Sequence, residues 1–183
     1  MSNITAVVIH TDMRRTGYLT TSNELLNKLH ENVRWSMKGN FLGIPTDCPQ
    51  RDERLGWTGD IQAFAPTATF LYDCTALLKS YLRNLALEQS SNGIPPFVSP
   101  DALRNAPSPR AVWGDALIHV PHALYQATSD TRILSDQFAS MVSWLTQGIP
   151  RSSDQLWQDV EQFGDWLVSS YDHDSHFTAK TNS

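Results

Sequence analysis

The chain alternates stretches of helical apolar spacing with long connections that have no period at all, and this alternation limits what it can fold into. Leu25, Leu26, Leu29, Val33 and Met37 recur at i, i+3 and i+4 spacing, which predicts a helix over about 22–38. Thr21 and Glu24 stand in capping-box register, with Ser22 as a competing cap, and Gly39 is a natural stop. Phe64, Ala65, Ala68, Leu71 and Tyr72 form a second apolar face, predicting a helix over about 60–72 that Pro66 starts or kinks. Leu77, Leu78, Tyr81, Leu82, Leu85 and Leu87 predict a third over 74–90, closed by the SSNG run at 90–93. Residues 115–128 read as a fourth helix with Pro121 inside it. Asp130 caps a fifth that carries Ile133, Leu134, Phe138, Met141, Val142, Trp144 and Leu145. Shorter apolar pieces at 155–159 and 166–170 complete the pattern.

Two segments break this rhythm. Residues 39–60 hold Gly, Pro and charged residues without a period, anchored by Phe41, Leu42, Ile44, Leu55 and Trp57. Residues 94–112 hold five prolines. Ordered connections of such length in a compact domain usually carry function. Ahead of the first helix, the β-branched run AVVIH at 6–10 predicts a strand, with a second extended piece near Gly17–Leu19. Two short strands cannot form a stable sheet alone. They are therefore expected to be the tail of a sheet, or strands leaning on the helices that follow. The expected fold class is all-α: helical hairpins, preceded by a short β segment.

Composition excludes several classes. Lys and Arg number 14 against 19 Asp and Glu, a formal charge of -5, which argues against a nucleic-acid partner. No apolar run approaches the ~20 residues a membrane span needs, so no membrane partner is expected. The opening residues lack a basic segment leading into an apolar one, which argues against an ordinary secretory signal and favours the cytoplasm. Two cysteines, Cys48 and Cys74, are too few for a disulfide scaffold.

The chemistry concentrates in residues 47–60. Asp47, Asp52, Glu53 and Asp60 are four carboxylates in fourteen positions, and Arg51 and Arg54 bracket the middle pair. Pro45, Pro49, Gly56 and Gly59 restrict the segment, and Trp57 adds a large ring. Glycoside hydrolysis needs one protonated and one ionised carboxyl. Neighbouring carboxylates raise one another's pKa, because like charges disfavour ionisation. Trp57 offers a floor for the apolar face of a sugar, and Arg51 or Arg54 can hold carboxylates in register. Spacing alone does not choose the acid among the four. Divalent-cation binding and structural ion pairing with arginine stay open on the same residues. His119 and His122, at i and i+3, and the His173/His176 cluster have metal-like composition, with packing or surface placement as the simpler reading.

The segment DCPQRDERLGWTGD at 47–60 closely resembles the signature of bacterial α-L-rhamnosidases, glycoside hydrolase family 78. The resemblance extends from Val8 to Asp73, and returns in AVWGDALIHVPHALYQATSD at 111–130 and QFGDWL at 162–167. It implies a catalytic domain built as an (α/α)6 barrel. In that reading residues 1–20 would be the tail of a preceding β-domain, and residues 21–183 the N-terminal part of the six-hairpin domain. It implies removal of terminal α-L-rhamnose from glycosides with inversion, and neither metal nor cofactor in the chemistry. Carried over residue by residue, Glu53 is the general acid. Asp47 holds the sugar hydroxyls, while Trp57 and Asp60 line the same pocket. Trp113 and Asp115 stand near the sugar, and Asp165 and Trp166 on its rim. Arg51, Asp52 and Arg54 support the acid.

The resemblance also implies a general base, a second glutamate far downstream, that nothing in the sequence matches. Twelve helices of ~12 residues with loops of ~5 need roughly 200 residues before any long loop is added. Half a ring leaves apolar faces that call for a second copy of the chain or the remainder of the barrel. The expectation is a truncated domain with little or no turnover. The reading requires Glu53 to sit protonated in a tryptophan-lined hollow close to Asp47, Trp57 and Asp60.

Overall fold

The computed structural model describes residues 3–158 and 161–163. They form five α-helices: α1 (Glu24–Asn40), α2 (Thr58–Leu71), α3 (Thr75–Glu88), α4 (Ala116–Thr128) and α5 (Arg132–Ser143). A π-helical turn, Trp144–Gly148, follows α5 directly. Between α1 and α2 lies a minimal hairpin, β1 (Phe41–Leu42) paired antiparallel with β2 (Ile44–Pro45). Gly43 makes its turn at φ +78°, a conformation that favours glycine.

Each predicted helix is present within a few residues of its expected bounds, and the local chemistry explains the offsets. The cap of α1 is neither Thr21 nor Ser22 but Asn23, whose side chain accepts from the Leu25 and Leu26 amides. Thr21 is occupied with Asn27, donating from its backbone and its hydroxyl to Asn27 Oδ1. Helices α2 and α4 run unbroken through Pro66 and Pro121. At α5 the side chain of Asp130 accepts from the Arg132 amide at 3.0 Å.

Helix α4 is the central element, packed against α2, α3 and α5. Its Leu117, Val120 and Leu124 are wholly enclosed. They meet Ile61, Ala65, Ala68 and Leu71 of α2, Leu78, Leu82 and Leu85 of α3, and Ile133 of α5 in one core. Burying a side chain of this size contributes about 1.5–3 kcal/mol, so this cluster dominates stability. Small residues on α2, at Ala65 and Ala68, let the two helix axes come close.

The expected β segment and partial (α/α)6 barrel are corrected by this arrangement. AVVIH forms no strand, and Val7, Val8 and Ile9 stand exposed, with no strand among the described residues to pair with them. The leading segment makes one antiparallel bridge, Arg15 to Tyr72, and its Thr11 amide donates to the Phe41 carbonyl at 2.8 Å. Five helices around one core enclose no ring, and no barrel is formed among the described residues. The segment predicted at 155–159 is likewise not helical where it is described; Trp157 instead bridges to Arg151. No helix of the described residues is long and apolar enough to cross a membrane.

Candidate active site

The carboxylate-rich segment is held as a defined loop at the N-terminus of α2. Asp47 pairs with Leu55 twice: its amide donates to the Leu55 carbonyl at 3.0 Å, and its Oδ1 accepts the Leu55 amide at 2.8 Å. Arg54, at φ +52°, donates to the carbonyls of Gly39 and Pro49 and so ties the loop to the end of α1. The proline-rich connection secures the next three residues. Ser99 N donates to Gly56 O, and Thr58 donates to Phe97 O through both its amide and its hydroxyl. The buried Tyr81 hydroxyl donates to Gly56 O at 2.9 Å. A Cβ at Gly56 would stand 2.2 Å from the Ser99 carbonyl oxygen, so only glycine permits this approach.

Within this frame the predicted residues converge. Oε1 of Glu53 accepts the indole N–H of Trp57 at 2.8 Å. Oε2 of Glu53 pairs with the Arg51 guanidinium. Asp47 is buried, and one atom each of its carboxyl, Cys48 Sγ and the Glu53 carboxyl lie within 4.8 Å of one another. The Glu53 side chain remains 23% exposed, so it is in reach of a molecule entering from solvent. Asp60, in the first turn of α2, faces the same charges. Asp52 is exposed on the loop.

The electrostatics divide the three carboxyls. Hydrogen bonds from Trp57 first, then from Asp47 and Arg51, hold Glu53 below the usual carboxylate range. Burial pushes Asp47 up, and the nearby Glu53 carboxyl adds to the rise against the Leu55 amide. Asp60 is also raised, through the protein crowded behind it and the charges of Asp47 and Glu53, although one side of it opens to solvent. The surroundings therefore favour the protonated form at Asp47 and Asp60 and the ionised form at Glu53, which runs against the expectation of a protonated Glu53. The reason lies in the donors: an indole N–H and a guanidinium both stabilise the charged form.

Trp113 reaches the same helix start from the other long connection. Its ring lies against Gly59, where a Cβ would stand 2.8 Å from Cε2. Its indole nitrogen is buried and has no hydrogen-bond partner among the described residues. Phe163 meets Trp113 edge-on at 4.8 Å and Phe97 at 5.1 Å, and the Arg110 guanidinium lies 4.8 Å over the Phe163 ring. Sequence reasoning missed this framing by Arg110, Phe97 and Phe163. The signal available was two aromatic residues placed beside otherwise polar or proline-rich stretches. Asp115 accepts from Val112 N at 2.8 Å and from the Trp144 indole at 3.1 Å. Asp165 and Trp166 lie outside the described residues, as do His173 and His176. His119 and His122 line a groove between α2 and α4, where His122 pairs with Gln126 at 3.3 Å.

Comparison with known proteins gives this geometry a context. The family described as the bacterial alpha-L-rhamnosidase 6 hairpin glycosidase domain matches residues 14–183. The chain belongs to the α-L-rhamnosidase family. An alpha-L-rhamnosidase of Streptomyces avermitilis is 43% identical over 91% of the chain, and one of Formosa agariphila 39% identical over 90%. The chain spans only 16% and 18% of the length of those two relatives. Among solved structures, native α-L-rhamnosidase from Aspergillus terreus superposes with a TM-score of 0.85 at 48% identity, covering 88% of this chain and 19% of that one. The Streptomyces avermitilis enzyme, solved in complex with L-rhamnose, gives a TM-score of 0.81 at 44% identity, over 88% of this chain and 16% of that one.

Proposed function

We propose that the loop and helix start at residues 47–60 form the acid half of an α-L-rhamnoside-hydrolysing site. In this reading Glu53 is the general acid and delivers its proton to the glycosidic oxygen. Asp47 and Asp60 bind sugar hydroxyls, Trp57 and Trp113 flank the ring, and Asp165 and Trp166 complete the rim. Arg51 orients Glu53, while Asp52 and Arg54 belong to the supporting loop. The observation that carries the reading is the contact of Glu53 with Trp57 beside the buried Asp47.

The chemistry sets a condition on the proton of Glu53. An acid must be protonated when the bond breaks, and Glu53 in the open pocket is held ionised. A sugar seated on Trp57 and Trp113 removes water from Glu53, and desolvation raises a carboxyl pKa. Asp47 and Asp60, both raised, add like charge that works in the same direction on a carboxyl brought out of water. Inversion further demands a base about 6.5–9.5 Å from the acid across the sugar.

The low pKa of Glu53 favours one alternative, a rhamnose-binding unit without turnover. Two measurements on the protein separate these readings. Calorimetric titration with L-rhamnose tests the pocket, and release of aryl alcohol from an aryl α-L-rhamnoside tests the chemistry. Hydrolysis that falls at least ~100-fold in Glu53→Gln, with L-rhamnose affinity retained, supports the acid role. Binding without hydrolysis supports the alternative, and no binding at all refutes both.

A further inference from the structure

We propose that Asp115 is a positioning residue: it grips a strained turn from behind and thereby sets the Trp113 indole against the start of α2. The inference rests on the sugar-site reading above and assigns Asp115 a role other than sugar contact.

The placement of its side chain is unusual for its position. Asp115 precedes the first residue of α4, where an aspartate ordinarily caps its own helix by accepting an amide one or two residues into it. Here it makes no such bond. Both oxygens turn backward instead. Oδ2 accepts the amide of Val112, and Oδ1 accepts the indole N–H of Trp144. The helix start forgoes its cap, so the side chain is committed to the preceding turn.

That turn needs holding. Val112 lies at φ +70°, a left-handed conformation that is a genuine outlier for a β-branched residue. Such strain persists only where the surroundings fix it. Trp113 is the next residue, and its ring direction follows from the Val112 backbone. The other partner, Trp144, is fully enclosed and begins the π-helical turn. Its ring lies so close to Gly114 that a Cβ there would stand 2.3 Å from Cζ2. The chain of contact therefore runs from a buried anchor, Trp144, through Asp115 to the Val112 amide, and on to Trp113 at Gly59.

The test uses the tryptophan indole N–H signals of the 15N-labelled protein together with L-rhamnose calorimetry. Loss of one cross-peak in Trp113→Phe identifies the Trp113 signal. Asp115→Asn offers one acceptor where two donors must be met, so the Trp113 signal is expected to shift and L-rhamnose affinity to fall about tenfold. In a Trp113→Ala background the same Asp115→Asn change is expected to alter affinity less than twofold. Losses that add in the double variant mean that Asp115 touches the sugar directly, and overturn the proposal. Trp144→Phe keeps the Asp115 carboxylate and removes one donor, which covers the case of an unfolded Asp115→Asn. Its Trp113 signal is also expected to move, and an unmoved signal in either folded variant overturns the proposal. If the wild-type protein binds no L-rhamnose, the sugar-site reading fails, and the indole signals alone decide whether Asp115 positions Trp113.

Discussion

The indole of Trp57 donates a 2.8 Å hydrogen bond to Glu53, four residues before it and outside any helix. One ring thereby supplies a flat apolar face and sets the charge state of the carboxyl beside it. Trp57→Phe keeps the face and removes the donor. Glu53 loses the largest of the interactions that lower its pKa, so its pKa is expected to rise. A 13C carboxyl titration by NMR measures this directly, and an unchanged midpoint contradicts it. Where the protein turns over, the alkaline limb of its pH–rate profile moves upward, because a general acid works only below its own pKa.

Asp47 is expected to trade stability for function. Its folded pKa is raised, so the stability it contributes is present below its unfolded pKa and is lost as pH rises through the folded value. At neutral pH the charged form is a liability to the fold. Asp47→Asn can still accept the Leu55 amide and can donate toward Glu53. Its Tm at pH 7 is expected to rise by ~2–4 °C, a gain of about 1 kcal/mol for a chain of this size, while L-rhamnose affinity is lost. A melting temperature below wild type counts against this account.

Gly59→Ala probes the seat of Trp113. The added methyl would stand 2.8 Å from the indole, and the ring has to shift to admit it. Alanine is the better helix former by about 1 kcal/mol, so thermal stability changes little while L-rhamnose affinity falls about tenfold, or ~1.4 kcal/mol. Calorimetry and thermal melting on the same sample check both halves.

Leu124→Ala removes a wholly enclosed side chain from the central helix. The expected loss is about 2–5 kcal/mol, read by urea denaturation. A loss below 1 kcal/mol would mean that the core around α4 collapses onto the gap.

Much of the helical content was legible because helices announce themselves by spacing: Leu78, Leu82 and Leu85 on α3 are buried as their register predicts. The leading segment misled for a physical reason. Val7, Val8 and Ile9 have strand propensity, yet propensity forms no strand without a partner to accept its hydrogen bonds. The barrel expectation came from resemblance, whereas the apolar periodicity itself specified only paired helices. Within the site, Asp47, Glu53, Trp57 and Asp60 are brought together. What the sequence could not display was their charge. The low pKa of Glu53 depends on Trp57, Asp47 and Arg51, whose directions are set by the fold of the loop. The engagement of Asp115 with Trp144, across twenty-nine positions, was equally invisible, since neither residue signals the other by spacing.

The lacing of Gly56 and Thr58 to the 97–99 stretch gives the proline-rich connection a leverage that its distance in sequence conceals. The aim of Glu53 depends on a segment some forty positions further along that shares no atom with the reaction. Variation there need not alter any group in the pocket to retune it. Substitutions at Phe97 or Ser99 are therefore expected to shift the start of α2, and with it Trp57 and Glu53, without touching either.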